Sequence, residues 1–328
     1  MTDLIIVGAG PIGLEAAIRA KRAGLTARVL EKGGLVDAIY RYPTYMTFFT
    51  TSERLEIGDH PLVTATDKPT RKEALAYYRK VAAAEALDVA PFHEVTAVTR
   101  DGDGFALEVR DRAPGADPAP RTLRARRVML ATGYFDTPNA LGVPGEDLPH
   151  VSHYYDEAHR WFGRDVVIVG AGSSAADAAL DLYRGGARVA MVHRGETFKS
   201  SLKYWIRPNL ENRVKEGAIA AHFRTTVREI VPGAVRAERD GEVTTLPADR
   251  VYLLTGYRAT GELLAGAGAE IDADTRVATL DAHYQTTVPG LYAIGSAGFG
   301  TRTSDVFIEN GLVHARAAVA HAAKAPVR

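Results

Sequence analysis

Apolar positions in this chain fall into short β-branched runs, each followed by an alanine-rich stretch whose apolar residues recur at helical spacing. From Leu4 the run "LIIV" leads through "GAGPIG" into "LEAAIRAKRAG", stops at Gly24, and resumes as "ARVL". A change of period from two to about 3.6, closed by glycine and followed by a second apolar run, predicts strand, turn, helix and strand. The same order returns from Val166 as "VVIVGAGSSAADAALDLYRGGARVAMVHRG", with a glycine stop at Gly186. The two stretches superpose without a gap at a constant offset of 162 positions (166 − 4), through Gly33 and Gly195. Each copy reads as a βαβ unit, and a chain of 328 residues has room for two domains built on them.

The residues of the turns carry the chemistry. Gly8 and Gly170 suit the tight bend, while Gly10 and Gly172 allow backbone to approach a pyrophosphate held at the N-terminus of the next helix. Gly13 permits close packing of helix on strand; the second copy has Ala175 there, a change common where NADP is bound. A single such motif could be a glycine turn in any Rossmann-like domain, but two ungapped copies in strand–turn–helix context point to two dinucleotide sites. Pro11 and Ile12 in one copy, and Ser173 and Ser174 in the other, open the helices and belong to the same candidate sites.

The copies differ where a ribose would lie. Glu31, followed by Lys32, can accept hydrogen bonds from a 2′-hydroxyl, as the adenosine of FAD or NAD requires. The second copy has His193 and Arg194 instead, with Lys199 and Lys203 nearby, and these supply donors and positive charge for a 2′-phosphate. The second site is therefore expected to take NADPH; alternatively Arg194 is a solvated surface residue. Two nucleotide sites in one chain imply a resident FAD and a visiting pyridine nucleotide.

Between the first unit and "ATGYFDTP", the chain alternates like antiparallel strands broken by a D-G turn and a Pro/Ala-rich loop, and reads as a small β layer. Val95 in this layer is a candidate backbone contact for adenine or simply a buried strand valine. Ala131, Thr132, Gly133 and Tyr134, and later Thr255, Gly256 and Tyr257, form the junction motif of two-dinucleotide flavoproteins and mark crossings between domains. Near the end a strand runs into Gly295–Ser296, where such flavoproteins usually have Gly-Asp holding a ribityl hydroxyl, and serine would make a weaker version of that contact. A last helix whose N-terminus lies around Val306 to Glu309, with Ile308 a candidate contact, would direct its dipole at the flavin pyrimidine.

Composition narrows the rest. A hydrophobic content of 46%, a charged content of 24% and zero formal net charge give no reason to expect a nucleic-acid partner. No apolar run approaches the roughly 20 residues of a membrane span. The start "MTDLIIVGAG" carries an acid where a signal peptide needs base, so a cytoplasmic protein is expected. There is no cysteine, which excludes disulfides, thiolate metal sites and a protein dithiol relay. His150 and His153 are the nearest histidine pair, no acid completes a set with them, and no metal site is expected.

The duplicated units, with "EKGGLVDAIYRYPTYMTFFTTSERLEIGDHPLV" and "FIENGLVHA", resemble the bacillithiol disulfide reductases, a group of thioredoxin reductase-like flavoproteins, over nearly the whole chain. The resemblance implies an α/β fold of two Rossmann-like domains. An FAD domain at 1–142 and 262–328 would be interrupted by an NADPH domain at 143–261. By the same resemblance Tyr42, Pro43, Met46, Phe48, Phe49 and Thr50 would line the isoalloxazine; otherwise these aromatics are ordinary core. Members commonly carry Cys where this chain has Ile12, and thioredoxin reductases carry a Cys-x-x-Cys pair before the second glycine motif that is absent here. No residue is identified as catalytic. The implied activity is electron transfer from NADPH through flavin to a small-molecule disulfide, in a homo-oligomer. Ferredoxin or flavodoxin as acceptor is the alternative, followed by flavin monooxygenase chemistry, for which the Phe-x-Gly-x-x-x-His segment is missing, and by a non-enzymatic NADPH redox sensor.

Overall fold

Leu4, Ile5 and Ile6 are buried in β1 (Thr2–Val7), the strand expected from the opening apolar run. Burying each such side chain contributes about 1.5–3 kcal/mol, and consecutive strand residues are buried together only when both sheet faces are covered. The computed structural model of the chain describes residues 1–117 and 119–324; residue 118 and the last four residues lie outside them.

Two units make up the chain. In the first, β1 is followed by α1 (Pro11–Arg22), β2 (Ala27–Leu30), the short α2 (Asp37–Tyr40) and α3 (Arg71–Ala84). Then come β3 (Val89–Ala90), β4 (His93–Asp101), β5 (Gly104–Asp111) and β6 (Arg121–Leu130). The sheet order is β3-β2-β1-β6-β5-β4, parallel from β3 to β6 and antiparallel beyond. The alternating region does not stand apart as its own layer. Arg121–Ala125 of β6 pair with β5 and Ala125–Leu130 with β1, so one long strand carries the parallel sheet into the antiparallel extension.

The second unit contains β7 (Val151–Ser152), β8 (Asp165–Val169), α4 (Ser173–Arg184), β9 (Arg188–Val192), α5 (Arg207–Lys215) and β10 (Ile219–His222). It continues with β11 (Thr226–Val231), β12 (Gly233–Arg239), β13 (Glu242–Ala248) and β14 (Arg250–Leu253). Its main sheet, β10-β9-β8-β14-β7, is wholly parallel, and β11-β12-β13 form a separate antiparallel sheet. The chain then returns to the first unit as α6 (Glu262–Gly266), β15 (Leu291–Ala293) beside β6, and α7 (Ile308–Lys324). Helix α7 packs on α1, where Arg316 donates to the buried Glu15 at 2.6 Å.

The sequence repeat is also a repeat of register. Leu4 pairs with Ala27 and Val7 with Leu30; their counterparts 162 positions on, Val166 with Val189 and Val169 with Val192, pair in the same way. The N–H of Gly8 donates to Leu30 at 2.8 Å, and that of Gly170 to Val192 at 3.0 Å.

The units divide at Thr137/Pro138 and Gly256/Tyr257, five residues before each boundary expected from sequence (142 − 137 and 261 − 256). The backbone pairing explains the position. Asn139 N–H donates to Gly256 O at 2.9 Å within the second unit, and Arg258 N–H to Thr137 O at 2.9 Å within the first. Arg41–Tyr45 also belongs to the second unit, which the sequence did not suggest. Thr44 N–H donates to Asp156 O at 3.3 Å, and the Tyr45 ring meets the Tyr155 ring edge-on at 6.5 Å.

Candidate functional site

In the first unit the loops leaving the C-terminal ends of β1, β2, β6 and β15 gather at one edge of the sheet, the position at which open α/β sheets hold ligands. Ladder-like bonds continue past the strand ends, from Ala131 N–H to Val7 O at 2.8 Å and from Ile294 N–H to Leu130 O at 2.9 Å. Gly8, Glu31, Ala131–Thr132–Gly133 and Gly295–Ser296 are brought together there.

The glycines of the turn are required for different reasons. Gly8 has φ +107°, and a Cβ on it would stand 2.5 Å from Ala131 O; a Cβ on Gly13 would stand 2.0 Å from Gly8 O. The protein itself demands those two. Gly10, at φ −72° and ψ 175°, has ordinary extended backbone, and a Cβ there would meet nothing within 4 Å. Gly172, at φ −88° and ψ −176°, is its counterpart in the second unit and faces equally open space. Both are helix N-caps with no side-chain cap, so the first backbone N–H groups of α1 and α4 face these cradles. An uncapped helix start beside a glycine whose missing side chain leaves room is suited to a phosphate.

Glu31, immediately after β2, is 8% exposed. One carboxylate oxygen accepts from Ala9 N–H and the other from Gly33 N–H, both at 2.8 Å, which ties the acid to the glycine turn. Burial pushes its carboxyl up from the ordinary glutamate value, against the lowering effect of those two bonds. Each oxygen keeps a lone pair for a further donor. Lys32 pairs with Asp136 at 2.8 Å, a partner the sequence did not reveal.

The second unit holds a different set. His193 N–H donates to His222 O at 2.9 Å, which fixes the backbone after β9. Burial, and then the positive charges of Lys199 and Arg194, hold the His193 imidazole below its usual range, so the ring sits in a cationic neighbourhood. The segment after Gly195 folds back onto the turn: Lys199 N–H donates to Ala171 O at 3.2 Å and Lys203 N–H to the Ser173 hydroxyl at 3.3 Å. Gly170, Gly172, Ser173, Ser174, His193, Arg194 and Lys199 are thereby grouped around the start of α4, with Ala175 buried behind it. The fold-back was not legible in the sequence, which shows only that the lysines lie nearby.

The remaining candidates are distributed as follows. Pro11 takes the first position of α1, where its missing N–H costs nothing, and Ile12 follows it. Met46 and Thr50 are half-buried, Phe48 is buried and Phe49 is 43% exposed. Bonds from Arg71 N–H to Met46 O and from Phe48 N–H to Pro69 O hold this segment against the start of α3, which a Thr70–Glu73 capping box closes. Tyr42 and Pro43 fall in the second unit, and Met46, Phe49 and Thr50 in the first. Val95 is packed into the first unit's core, two residues past His93, whose N–H donates to Glu31 O. Ser296 is buried, and Ile308 is the first residue of α7. Gly256 ends the second unit; Tyr257 re-enters the first, 4.7 Å from the Phe135 ring.

No group of three or more His, Asp or Glu placed to hold a metal ion occurs among the described residues. Among the same residues no helix is long and apolar enough to cross a membrane.

Residues 5–295 match the family model described as pyridine nucleotide-disulphide oxidoreductase. The chain is 40% identical over 324 residues to the bacilliredoxin reductase Bdr of Bacillus subtilis (strain 168), covering 98% of this chain and 97% of that one. The solved bacillithiol disulfide reductase Bdr from Bacillus cereus superposes with a TM-score of 0.94 at 40% identity, covering 98% of each chain. A ferredoxin–NADP reductase of Ignicoccus hospitalis is 24% identical over 302 residues, covering 90% of each chain. Thioredoxin reductase-like enzymes of the matched family use FAD and NAD(P)H. With two uncapped glycine cradles on one repeated βαβ unit, the chain belongs to the pyridine nucleotide-disulphide oxidoreductase family.

Proposed function

We propose that the protein is a flavin-dependent, NADPH-linked reductase of bacillithiol disulfide, with FAD held by the first unit and NADPH by the second. The observation that carries this reading is the pair of open cradles at Gly10 and Gly172, followed by an acid in one copy and by cations in the other. In the first unit the N–H groups at the start of α1 would take the FAD pyrophosphate, and Glu31, oriented by Ala9 and Gly33, would accept from the ribose hydroxyls. In the second unit the start of α4 would take the nicotinamide dinucleotide's pyrophosphate, with His193, Arg194 and Lys199 around its 2′-phosphate. A carboxylate at that place would repel the phosphate, so this difference selects the cofactor.

Bound FAD supplies a carrier that takes two electrons from the nicotinamide and gives them to the acceptor. The chain's own residues bind and orient; hydride transfer needs positioning more than acid–base groups. With no cysteine in 328 residues, no protein thiol can form a mixed disulfide with the substrate. That same fact favours a second reading, in which ferredoxin or flavodoxin is the acceptor. Anaerobic titration separates the two. NADPH is expected to bleach the flavin absorption, and bacillithiol disulfide to restore it faster than ferredoxin or flavodoxin. Restoration by the carrier proteins alone would select the second reading, and a protein that takes up no FAD would end both.

A further inference from the structure

The repeat runs further in the structure than in the sequence. In each unit a third parallel strand lies beside the one that ends at the ribose-side residue, so that β3-β2-β1 is matched by β10-β9-β8. Three backbone bonds then recur at the exit of that third strand. Glu31 N–H donates to Ala90 O at 3.0 Å, Phe92 N–H to Gly33 O at 3.0 Å and His93 N–H to Glu31 O at 2.7 Å. In the second unit His193 N–H donates to His222 O at 2.9 Å, Arg224 N–H to Gly195 O at 2.9 Å and Thr225 N–H to His193 O at 3.0 Å. Phe92 and Arg224 are therefore equivalent positions, at an offset of 132 (224 − 92) instead of 162, and the change of offset hides the pair in the sequence.

Both residues hold left-handed backbone, at φ +60° and +53°. Glycine or asparagine takes that conformation readily and a bulky residue does not, so each is kept there by the bonds around it. Neither side chain is buried in return: Phe92 is 40% exposed, and the exposed Arg224 forms a surface ion pair with Asp240 at 3.3 Å. What these side chains do lies outside the fold. A bound dinucleotide runs from pyrophosphate through ribose to adenine. With the pyrophosphate at the start of α1, next to β1, and the ribose at Glu31, after β2, the adenine falls at the end of β3, where Phe92 stands. The same order in the second unit takes the adenine to the end of β10 and to Arg224. His222 and Thr225, on either side of Arg224 along the chain, line a cavity of about 400 Å³. A phenyl ring and a guanidinium share a flat face on which a purine stacks.

We propose that Phe92 and Arg224 are the adenine-stacking residues of the two sites, Phe92 for FAD and Arg224 for NADPH. The proposal rests on the two-cofactor reading above. It gives Arg224 a different part from Arg194: a residue that meets the base does not distinguish NADPH from NADH, which share it.

The test compares Phe92→Asn with Phe92→Tyr, and Arg224→Asn with Arg224→Tyr. Asparagine keeps the left-handed backbone and removes the flat face, whereas tyrosine keeps the face. FAD affinity is measured by quenching of FAD fluorescence on titration into apoprotein, and NADPH and NADH affinities by isotherms on the FAD-loaded protein. Loss of stacking on one base corresponds to roughly five- to a hundredfold weaker binding. Phe92→Asn is expected to lose that much FAD affinity and, once saturated with FAD, to bind NADPH as wild type. Arg224→Asn is expected to take up FAD as wild type and to lose NADPH and NADH by the same factor. Both Tyr variants should bind as wild type. Wild-type FAD affinity in Phe92→Asn, a loss in Arg224→Asn confined to NADPH, or a Tyr variant as weak as its Asn counterpart overturns the proposal. If an Asn variant does not fold, glycine at the same position, which adopts the backbone freely, decides in its place. A wild-type chain that takes up no FAD and binds neither nicotinamide overturns the two-cofactor reading. Failure of the stacking roles alone leaves the wild type binding and the variants binding equally well.

Discussion

Ile12 Cδ1 stands 2.7 Å from the point where a Cβ on Gly295 would lie, and 2.4 Å from the corresponding point on Gly311. The position at which the family resemblance implies a cysteine is filled here by a branched alkyl chain packed against two glycines. Gly295 also holds φ +62°, so its substitution meets both a backbone and a steric penalty. Gly295→Ala is expected to destabilise the fold by about 1–2 kcal/mol for the left-handed backbone alone, and by more for the contact. In an Ile12→Ala background the steric part disappears and only the backbone part remains. Denaturant unfolding of the four chains of this cycle measures the coupling, and strictly additive effects would contradict the packing.

Asp177, on the second turn of α4, has its carboxyl pushed up to about 6 by burial, with Arg184 opposing. For a carboxylate with a raised folded value, the stabilising contribution is present below the ordinary value of 3.8 and is lost as pH rises through about 6. Asp177→Asn should therefore raise Tm at pH 7.5 and leave it nearly unchanged at pH 4. Equal shifts at both pH values would show that the charge of Asp177 is not what burial opposes.

The cations after β9 are expected to set the choice of nicotinamide. A charge-assisted hydrogen bond contributes about 1.5–3 kcal/mol, so Arg194→Ala should weaken NADPH binding by roughly ten- to a hundredfold. NADH binding, which involves no 2′-phosphate, should stay the same. The NADPH affinity of the wild type should also fall with salt more steeply than that of the variant. Binding isotherms for both dinucleotides check this, and a parallel loss for NADH would place Arg194 elsewhere on the ligand.

The two βαβ units were legible because their constraints are local: a period change, a glycine at Gly8 that no other residue replaces, and a stop at Gly24. Copying at a fixed offset preserved the register as well as the residues. The cofactor difference was legible for the same reason, since Glu31 and His193 occupy one position of one repeat. Features that depend on pairing distant segments were not legible. Arg41–Tyr45 joins the second unit through Asp156 and Tyr155, more than a hundred residues away. The antiparallel sheet of β11, β12 and β13 went unread, because exposed Glu242–Thr245 blurs its alternation. The return of Lys199 and Lys203 to the α4 turn runs through backbone N–H groups, which every residue type carries.

The central claim, two dinucleotide sites on one repeated frame, is tested most directly at the two glycines the protein does not itself require. Gly10→Val and Gly172→Val place a side chain in open cradles on ordinary backbone, and the loss of a helix N-cap preference costs only about 1 kcal/mol. The decisive measurement is bound FAD and NADPH affinity in both variants, beside the Tm of the apoproteins. Gly10→Val should lose FAD and still bind NADPH, and Gly172→Val should keep FAD and lose NADPH, each with an apoprotein Tm close to wild type. Retention of both cofactors in either variant, or loss of both from a single substitution in a folded protein, would contradict it.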